Sequence, residues 1–277
     1  MGARVKTLPA AVSPVIIGTS FANDIDWFKA LLALIVSCAL QVGVNYANDY
    51  SDGIRGTDTN RIGPTRLVAS GLSTASGVKN AAVIAFVIAA IAGSILSILS
   101  NRWLFVIGAI SILAAWGYTG GKKPYGYLGL GELSVFVFFG LVATIGSYFV
   151  QSTTINWQIS LLSIPVGCLS CAILVLNNLR DLPKDKLVSK NTLAVLLGDK
   201  KTRIFYVILL VISQLLSVIS SIIDIKLLAT LICIPLTFNL SKRILSGVSG
   251  VELISILART ASLQLLLSII TASALFI

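Results

Sequence analysis

The chain has no histidine among its 277 residues. Imidazole ligation of haem and imidazole acid or base catalysis are therefore excluded from the outset. Charge is also scarce, because Asp, Glu, Lys and Arg together make up 12% of the residues, and acids number 11 against 21 bases. No polar stretch is long enough to fold as a separate soluble domain. The four cysteines, Cys38, Cys168, Cys171 and Cys233, all fall within apolar runs. Cys168 and Cys171 have CxxC spacing, but no second pair or histidine accompanies them, so a zinc site lacks ligands and helix packing is the better account.

What the chain has in excess is apolar surface. Hydrophobic residues make up 56% and the mean hydropathy is +0.94, which places it among integral membrane proteins. Apolar runs long enough to cross about 30 Å of hydrocarbon recur from end to end. They predict nine spans, near 8–22, 27–47, 78–99, 103–119, 128–150, 157–178, 204–221, 226–241 and 255–277, forming a single all-α membrane domain over 1–277. Arg4 and Lys6 ahead of the first run give it the look of a signal peptide, but a small-residue cleavage site is poorly developed, so it is read as a span.

Of the 21 lysines and arginines, all but Lys29, Arg102 and Lys226 fall on one side of this map. Short basic loops stay in the cytoplasm, so the N-terminus and the segments 48–77, 120–127, 179–203 and 242–254 are expected inside, and the C-terminus outside. The net charge of +10 is then mainly topological. Nucleic acid is not an expected partner, since the cations are spread over alternate loops with no binding module between them. The oligomeric state leaves no mark in the sequence.

The acids are few but gathered. Asp49, Asp52 and Asp58 follow the second span, and Asp181 and Asp185 follow the sixth. Gln41, Asn45, Asn48 and Asp52 step by four, three and four, forming one polar stripe on an otherwise apolar helix, with Asp49 on its edge. Asn177 and Asp181 repeat the four-residue step, and Asp185 follows four later, although Pro183 predicts that the helix stops near there. Polar stripes aimed at lipid are costly, so both are expected to face a common interior or a wet cavity. Asn48-x3-Asp52 and Asn177-x3-Asp181 thus open two loops in the same way, a hint of a duplicated four-helix unit.

Carboxylates without imidazole or thiolate suit hard cations, and Mg²⁺ in particular is held by a few carboxylates plus the oxygens of a bound phosphate. Arg55, Arg61 and Arg66 share the first loop, Lys122 and Lys123 the next, and Lys184, Lys186 and Lys190 the third. Bases interleaved with acids in this way suit a metal-bridged diphosphate, although the positive-inside rule accounts for any single one of them equally well. An aspartate-dependent phosphotransferase acting on CDP-alcohols is a rival, but after Asp49-x2-Asp52-Gly53 the chain reads IRGTDTNRIGPTR and its remaining signature is missing. An ion-coupled transporter is another, but these acids gather at one face and not at the midplane.

The stretches NDYSDGIRGTD, GPTRLVASG, YTGGKKPYGYLGLGE (Tyr118 to Glu132) and NNLRDLPKDK followed by NTLAVLLGDKKTR resemble the UbiA superfamily of intramembrane prenyltransferases. The likeness runs from KTLPAAVSPVIIGT to Arg203. The superfamily's first motif is commonly NDxxDxxxD, whereas here Gly56 stands four after Asp52 and the next acid is Asp58, a spacing found in the branch that prenylates 1,4-dihydroxy-2-naphthoate. Val5 replaces the proline of that branch's RPKTLPA opening. The resemblance implies nine helices around a central cavity that opens to lipid. It implies that Asn48, Asp49, Asp52, Asp58, Asp181 and Asp185 hold Mg²⁺ against a polyprenyl diphosphate, with Asp49, Asp52, Asp181 and Asp185 essential to catalysis. Arg55, Arg61, Arg66, Lys122 and Lys190 are then the diphosphate-binding candidates, and Asn45, Tyr118, Tyr125, Asn177 and Asn178 the substrate-binding ones. Glu132 is either a further polar cavity residue or an interfacial charge. The implied product is a demethylmenaquinol, made in a bacterial plasma membrane; 4-hydroxybenzoate and homogentisate remain alternative acceptors.

Overall fold

In the computed structural model, residues 2–56, 63, 65–121 and 123–276 are described. Among them nine helical rods run in sequence: α1 Pro9–Ser20, α2 Trp27–Ile54, α3 Ala75–Leu99, α4 Trp103–Gly117, α5 Gly131–Ser152, α6 Trp157–Leu187, α7 Leu193–Ile219, α8 Ile225–Leu245 and α9 Val251–Phe276. Seven of these are long and apolar enough to cross a bilayer, and α1 and α4 are shorter. The chain is a multi-pass membrane protein, all-helical with nine helices among the described residues.

Local chemistry explains where the helices start. Asp26 accepts from the amides of Phe28 and Lys29 at the head of α2, Asn156 from Ile159 at the head of α6, and Thr74 from Gly77 at the head of α3. Each satisfies donors that the first turn leaves without intrahelical partners. α3 shows how the faces divide. Val78, Ala82, Ala85, Ala89, Ala92 and Leu96 recur at steps of three and four and are buried, whereas Ile84, Ile91 and Ile98 lie exposed on the opposite side. Small residues let α2 and α3 approach closely while isoleucine meets lipid.

α6 is the central helix, with 78% of its apolar window buried, against 28–50% for the other long helices. Its Leu169, Ala172 and Leu176 pack into one core with Tyr206 and Leu210 of α7 and Ile256 and Leu263 of α9. Polar pairs add to the packing: Tyr206 and Thr260 share a hydrogen bond of 2.7 Å, and Gln264 Nε2 donates to Ser170 Oγ at 2.8 Å. Such bonds between helices have no competing water in the hydrocarbon region.

Three boundaries differ clearly from the sequence expectation, the first being the end of α2, which runs to Ile54 and not to 47, so that Asn48, Asp49 and Asp52 are still helical. α6 does not stop near Pro183 but continues to Leu187. The proline forfeits one N–H donor, yet the turn beyond it closes through Val188 N–H to Lys184 O at 3.2 Å. Asn177, Asp181 and Asp185 therefore share one helix. α7 starts at Leu193, well before the expected 204, and breaks at Gly198, whose φ of 76° suits glycine alone.

α5 widens to π-helix over Phe136–Val142 where it presses on α6. A Cβ on Gly140 would lie 2.5 Å from Gly167 Cα, inside any permitted contact. We expect Gly140→Val to destabilise the bundle by about 1–3 kcal/mol, the usual range for overpacking, read as a lower melting temperature in detergent. An unshifted melt would contradict this contact.

Candidate active site

A cavity of about 940 Å³ lies between α2, α3, α4, α5 and α6. One end is lined by Asn48, Asp52, Arg66, Asn177, Asp181, Asp185 and Lys190, the other by Leu96, Leu104, Phe138 and Val150. A polar head with an apolar tail is the shape of an amphiphilic ligand's site.

The polar stripe of α2 does more than line this space, because its side chains bind other segments of the chain. Gln41 Nε2 donates to Thr7 Oγ1 at 3.0 Å and Asn45 Nδ2 to Ala3 O at 3.1 Å, so two positions fasten the N-terminal segment across the polar end. Asn48 Oδ1 accepts from Thr119 Oγ1 at 3.3 Å, tying down the turn after α4. Asp52, only 1% exposed, accepts from Arg66 Nη2 and Lys190 Nζ, each at 3.4 Å from Oδ2, and from the Tyr127 hydroxyl at Oδ1.

Asp49 is buried but does not face the cavity. Its two oxygens accept from the backbone amides of Leu67 at 2.9 Å and Val68 at 3.2 Å, and so hold the turn that presents Arg66. This is a correction to the expectation that Asp49 and Asp52 act alike. A three-residue step on a helix turns by about 300°, enough to separate a cavity ligand from a loop anchor.

On α6, Asn177, Asn178, Asp181, Lys184 and Asp185 all line the cavity. Arg180 joins them, which the sequence reading did not single out. Its guanidinium grips Asp181 through two bonds of 2.8 Å and donates to Asn177 Oδ1 at 2.6 Å. Gly63 lies against it, with φ of 148°, and a Cβ there would sit 3.1 Å from Arg180 Cζ. The i, i+3 step from Asn177 to Arg180 was the available signal. Asn178 Nδ2 donates to Glu132 Oε1 at 2.9 Å, and Glu132 is 4% exposed, which removes the interfacial-charge reading of that residue.

Tyr118 and Tyr125 both line the cavity and meet edge to face, centroids 5.6 Å apart. Tyr125 donates to Ala114 O at 2.7 Å. Burial raises the hydroxyl pKa of Tyr125, and raises that of Tyr118 further with help from the charge of Glu132. Burial and then the Asp52 carboxylate do the same for Tyr127. All three therefore stay protonated, and Tyr125 and Tyr127 act as donors.

The bases divide. Arg66 and Lys190 line the cavity. Arg55 does not: it donates to Thr119 O at 2.9 Å and Gly121 O at 2.6 Å and fixes that turn instead. Its guanidinium also reaches the Tyr127 hydroxyl at 3.4 Å, so in this geometry it braces the rim of the site and does not line the cavity as a diphosphate ligand would. Asp58, Arg61 and Lys122 lie outside the described residues.

Among the described residues, no three Asp, Glu, Cys or His side chains gather tightly enough to cage a metal ion unaided. The donors at hand are carboxylate and amide oxygens from two helices. That set fits Mg²⁺, which takes one or two carboxylates and completes its shell with phosphate oxygens and water.

The UbiA prenyltransferase family model matches residues 11–252. The chain is 47% identical to the 1,4-dihydroxy-2-naphthoate octaprenyltransferase of Mycobacterium tuberculosis, across 99% of this chain and 95% of that one. It is 40% identical to the Escherichia coli protein of the same name, across 75% and 70%. Its fold is similar to that of a UbiA homolog from Aeropyrum pernix, with a TM-score of 0.73, 13% identity and coverage of 98% and 97%. It is also similar to a UbiA homolog from Archaeoglobus fulgidus bound to GPP and Mg²⁺, with a TM-score of 0.71, 12% identity and coverage of 98% of each chain.

The Asp49 contacts generate a prediction independent of activity. Asp49→Ala frees the Leu67 and Val68 amides, so trypsin should cut after Arg66 at least several-fold faster, with helix content by circular dichroism unchanged. An unaltered cleavage rate would contradict the anchoring role.

Proposed function

Because the chain belongs to the UbiA prenyltransferase family, we propose that it transfers a polyprenyl group from polyprenyl diphosphate to 1,4-dihydroxy-2-naphthoate, with loss of the carboxyl group as CO2. The product is a demethylmenaquinol, on the route to menaquinone. The observation that carries this reading is that Asp52 of α2 and Asp181 and Asp185 of α6 line one cavity whose other end is apolar. The whole chain acts as one polytopic domain.

In this reading the diphosphate occupies the polar end. Arg66, Lys184 and Lys190 supply positive charge to its oxygens, and Arg180 fixes Asp181. Asp52, Asp181 and Asp185, with Asn48 beside them, are the residues to hold Mg²⁺, and Asp58 is a further candidate. The bound metal would neutralise charge on the leaving diphosphate. The allylic carbon–oxygen bond breaks with its electron pair going to diphosphate, an electron-rich carbon of the naphthoate ring bonds to the allylic carbon, and the ring–carboxylate bond breaks to release CO2 with its electron pair returning to the ring. The prenyl tail lies along Leu104, Phe138 and Val150, and filling that apolar length keeps out water that would quench the allylic cation. The faces of Tyr118 and Tyr125 are suited to stabilise that cation, and Asn45, Asn177 and Asn178 offer amides to the acceptor.

The cavity's polar end is proposed to face the cytoplasm of a bacterial cell, where the basic loops belong. A flat phenolic acid such as 4-hydroxybenzoate or homogentisate presents similar polar groups, and the test below separates these acceptors.

Purified protein in lipid with Mg²⁺, a polyprenyl diphosphate and a panel of aromatic acids should give the decarboxylated prenyl-naphthoquinol by mass spectrometry; exclusive prenylation of another acid would overturn the acceptor. Asp52→Asn and Asp181→Asn should each lower turnover by at least about a hundredfold while the protein melts as the wild type does. Excess EDTA should stop turnover and added Mg²⁺ restore it, and activity persisting in EDTA would contradict the metal assignment.

A further inference from the structure

Tyr127 stands at a junction that neither aspartate motif contains. It lies in the short 3-10 turn Tyr125–Leu128, between α4 and α5. Its hydroxyl donates to Asp52 Oδ1. Lys190 Nζ lies 4.6 Å from its ring centroid and also reaches Asp52 at 3.4 Å. Arg55 Cζ lies 5.2 Å from the same centroid, and its Nη1 approaches the Tyr127 oxygen at 3.4 Å. One aromatic ring therefore touches the carboxylate of the first motif, the arginine that ends α2, and the lysine of the loop after α6.

We propose that Tyr127 is a positioning residue for the metal and diphosphate end of the cavity: its hydroxyl fixes the Asp52 carboxylate, and its ring holds Lys190 beside that carboxylate. The proposal rests on the prenyl-transfer reading above. A carboxylate held by a neighbouring donor presents its free lone pairs in one direction, and loss of such a partner typically lowers metal affinity by about 10–100-fold. A ring face attracts an ammonium group without fixing its N–H bonds. Lys190 can then turn from Asp52 to a phosphate oxygen while remaining at the ring, and the electrostatic cost of placing Asp52 and a diphosphate in one cavity falls. Phenylalanine at this position would keep the ring and lose the hydroxyl, and leucine would lose both, so the two roles separate.

The test uses full-length protein in detergent, with Mn²⁺ as a spectroscopic stand-in for Mg²⁺ and geranyl diphosphate as the probe. Tyr127→Phe should raise the Mn²⁺ dissociation constant, read from free Mn²⁺ by electron paramagnetic resonance, about tenfold. It should raise the half-saturating Mg²⁺ for turnover by a similar factor, with turnover at saturating Mg²⁺ changed by less than about threefold. Tyr127→Leu should in addition raise the KM for geranyl diphosphate. Unchanged or tighter Mn²⁺ binding by Tyr127→Phe, or a loss of turnover that saturating Mg²⁺ does not recover, overturns the positioning role. A Tyr127→Phe protein that no longer folds also overturns it, since the residue would then serve stability. Failure of the wild type to bind Mn²⁺ or to turn over would instead count against the prenyl-transfer reading itself.

Discussion

The arrangement of the polar end depends on one constraint: Asp52 is a carboxylate buried almost completely in a bundle built for hydrocarbon. Such a group is tolerated only when charge and hydrogen bonds surround it. Arg66 comes from the turn after α2, Tyr127 from the turn after α4 and Lys190 from the loop after α6. Satisfying this one carboxylate therefore draws three distant segments together. The same end is closed from another side by the N-terminal residues that Gln41 and Asn45 hold. A cavity that must be wet at one end and dry along its length needs such a cap, and the helices alone would leave its mouth open.

The division of labour between neighbouring aspartates follows from helical geometry. Asp52 faces the cavity, while Asp49, one turn earlier, is turned toward the 65–70 turn and accepts from two backbone amides there. One aspartate thus sets the position of Arg66 and the other receives its guanidinium. Loop and ligand site are coupled through a single residue, and a change at Asp49 reaches the site without touching substrate. The sixth helix uses a different device. Arg180 is fixed on Asp181 and Asn177 by three short bonds, and it rests on a glycine from the first loop, at position 63.

Hydropathy made the helices legible, because a core of about 30 Å demands long apolar runs and seven of the nine helices among the described residues supply one. The stripe at Gln41, Asn45, Asn48 and Asp52 was equally readable, since polar residues at helical spacing in such a run have little choice of direction. Pro183 misled because a single missing hydrogen bond is a local cost, and the continuation of α6 to Leu187 outweighs it. Arg55 shows a related limit: charge patterns say which residues are cations, not which carbonyls will claim them. Tyr127 stands within the stretch Tyr118 to Glu132, but nothing in the sequence assigned it a partner. Its role rests on a turn, on Lys190 some sixty residues later in the chain and on Asp52 well before it, and no periodicity connects positions so far apart.

The central claim is that carboxylates on α2 and α6 share one bound cation. A double-substitution cycle over Asp52→Asn and Asp181→Asn, read out as Mn²⁺ affinity in the presence of geranyl diphosphate, tests it most directly. Side chains on a shared ion are coupled, so the double variant should lose far less affinity than the sum of the two single losses. Strict additivity of the two losses, within about 0.5 kcal/mol, would mean that the two helices act on separate sites and would contradict the account.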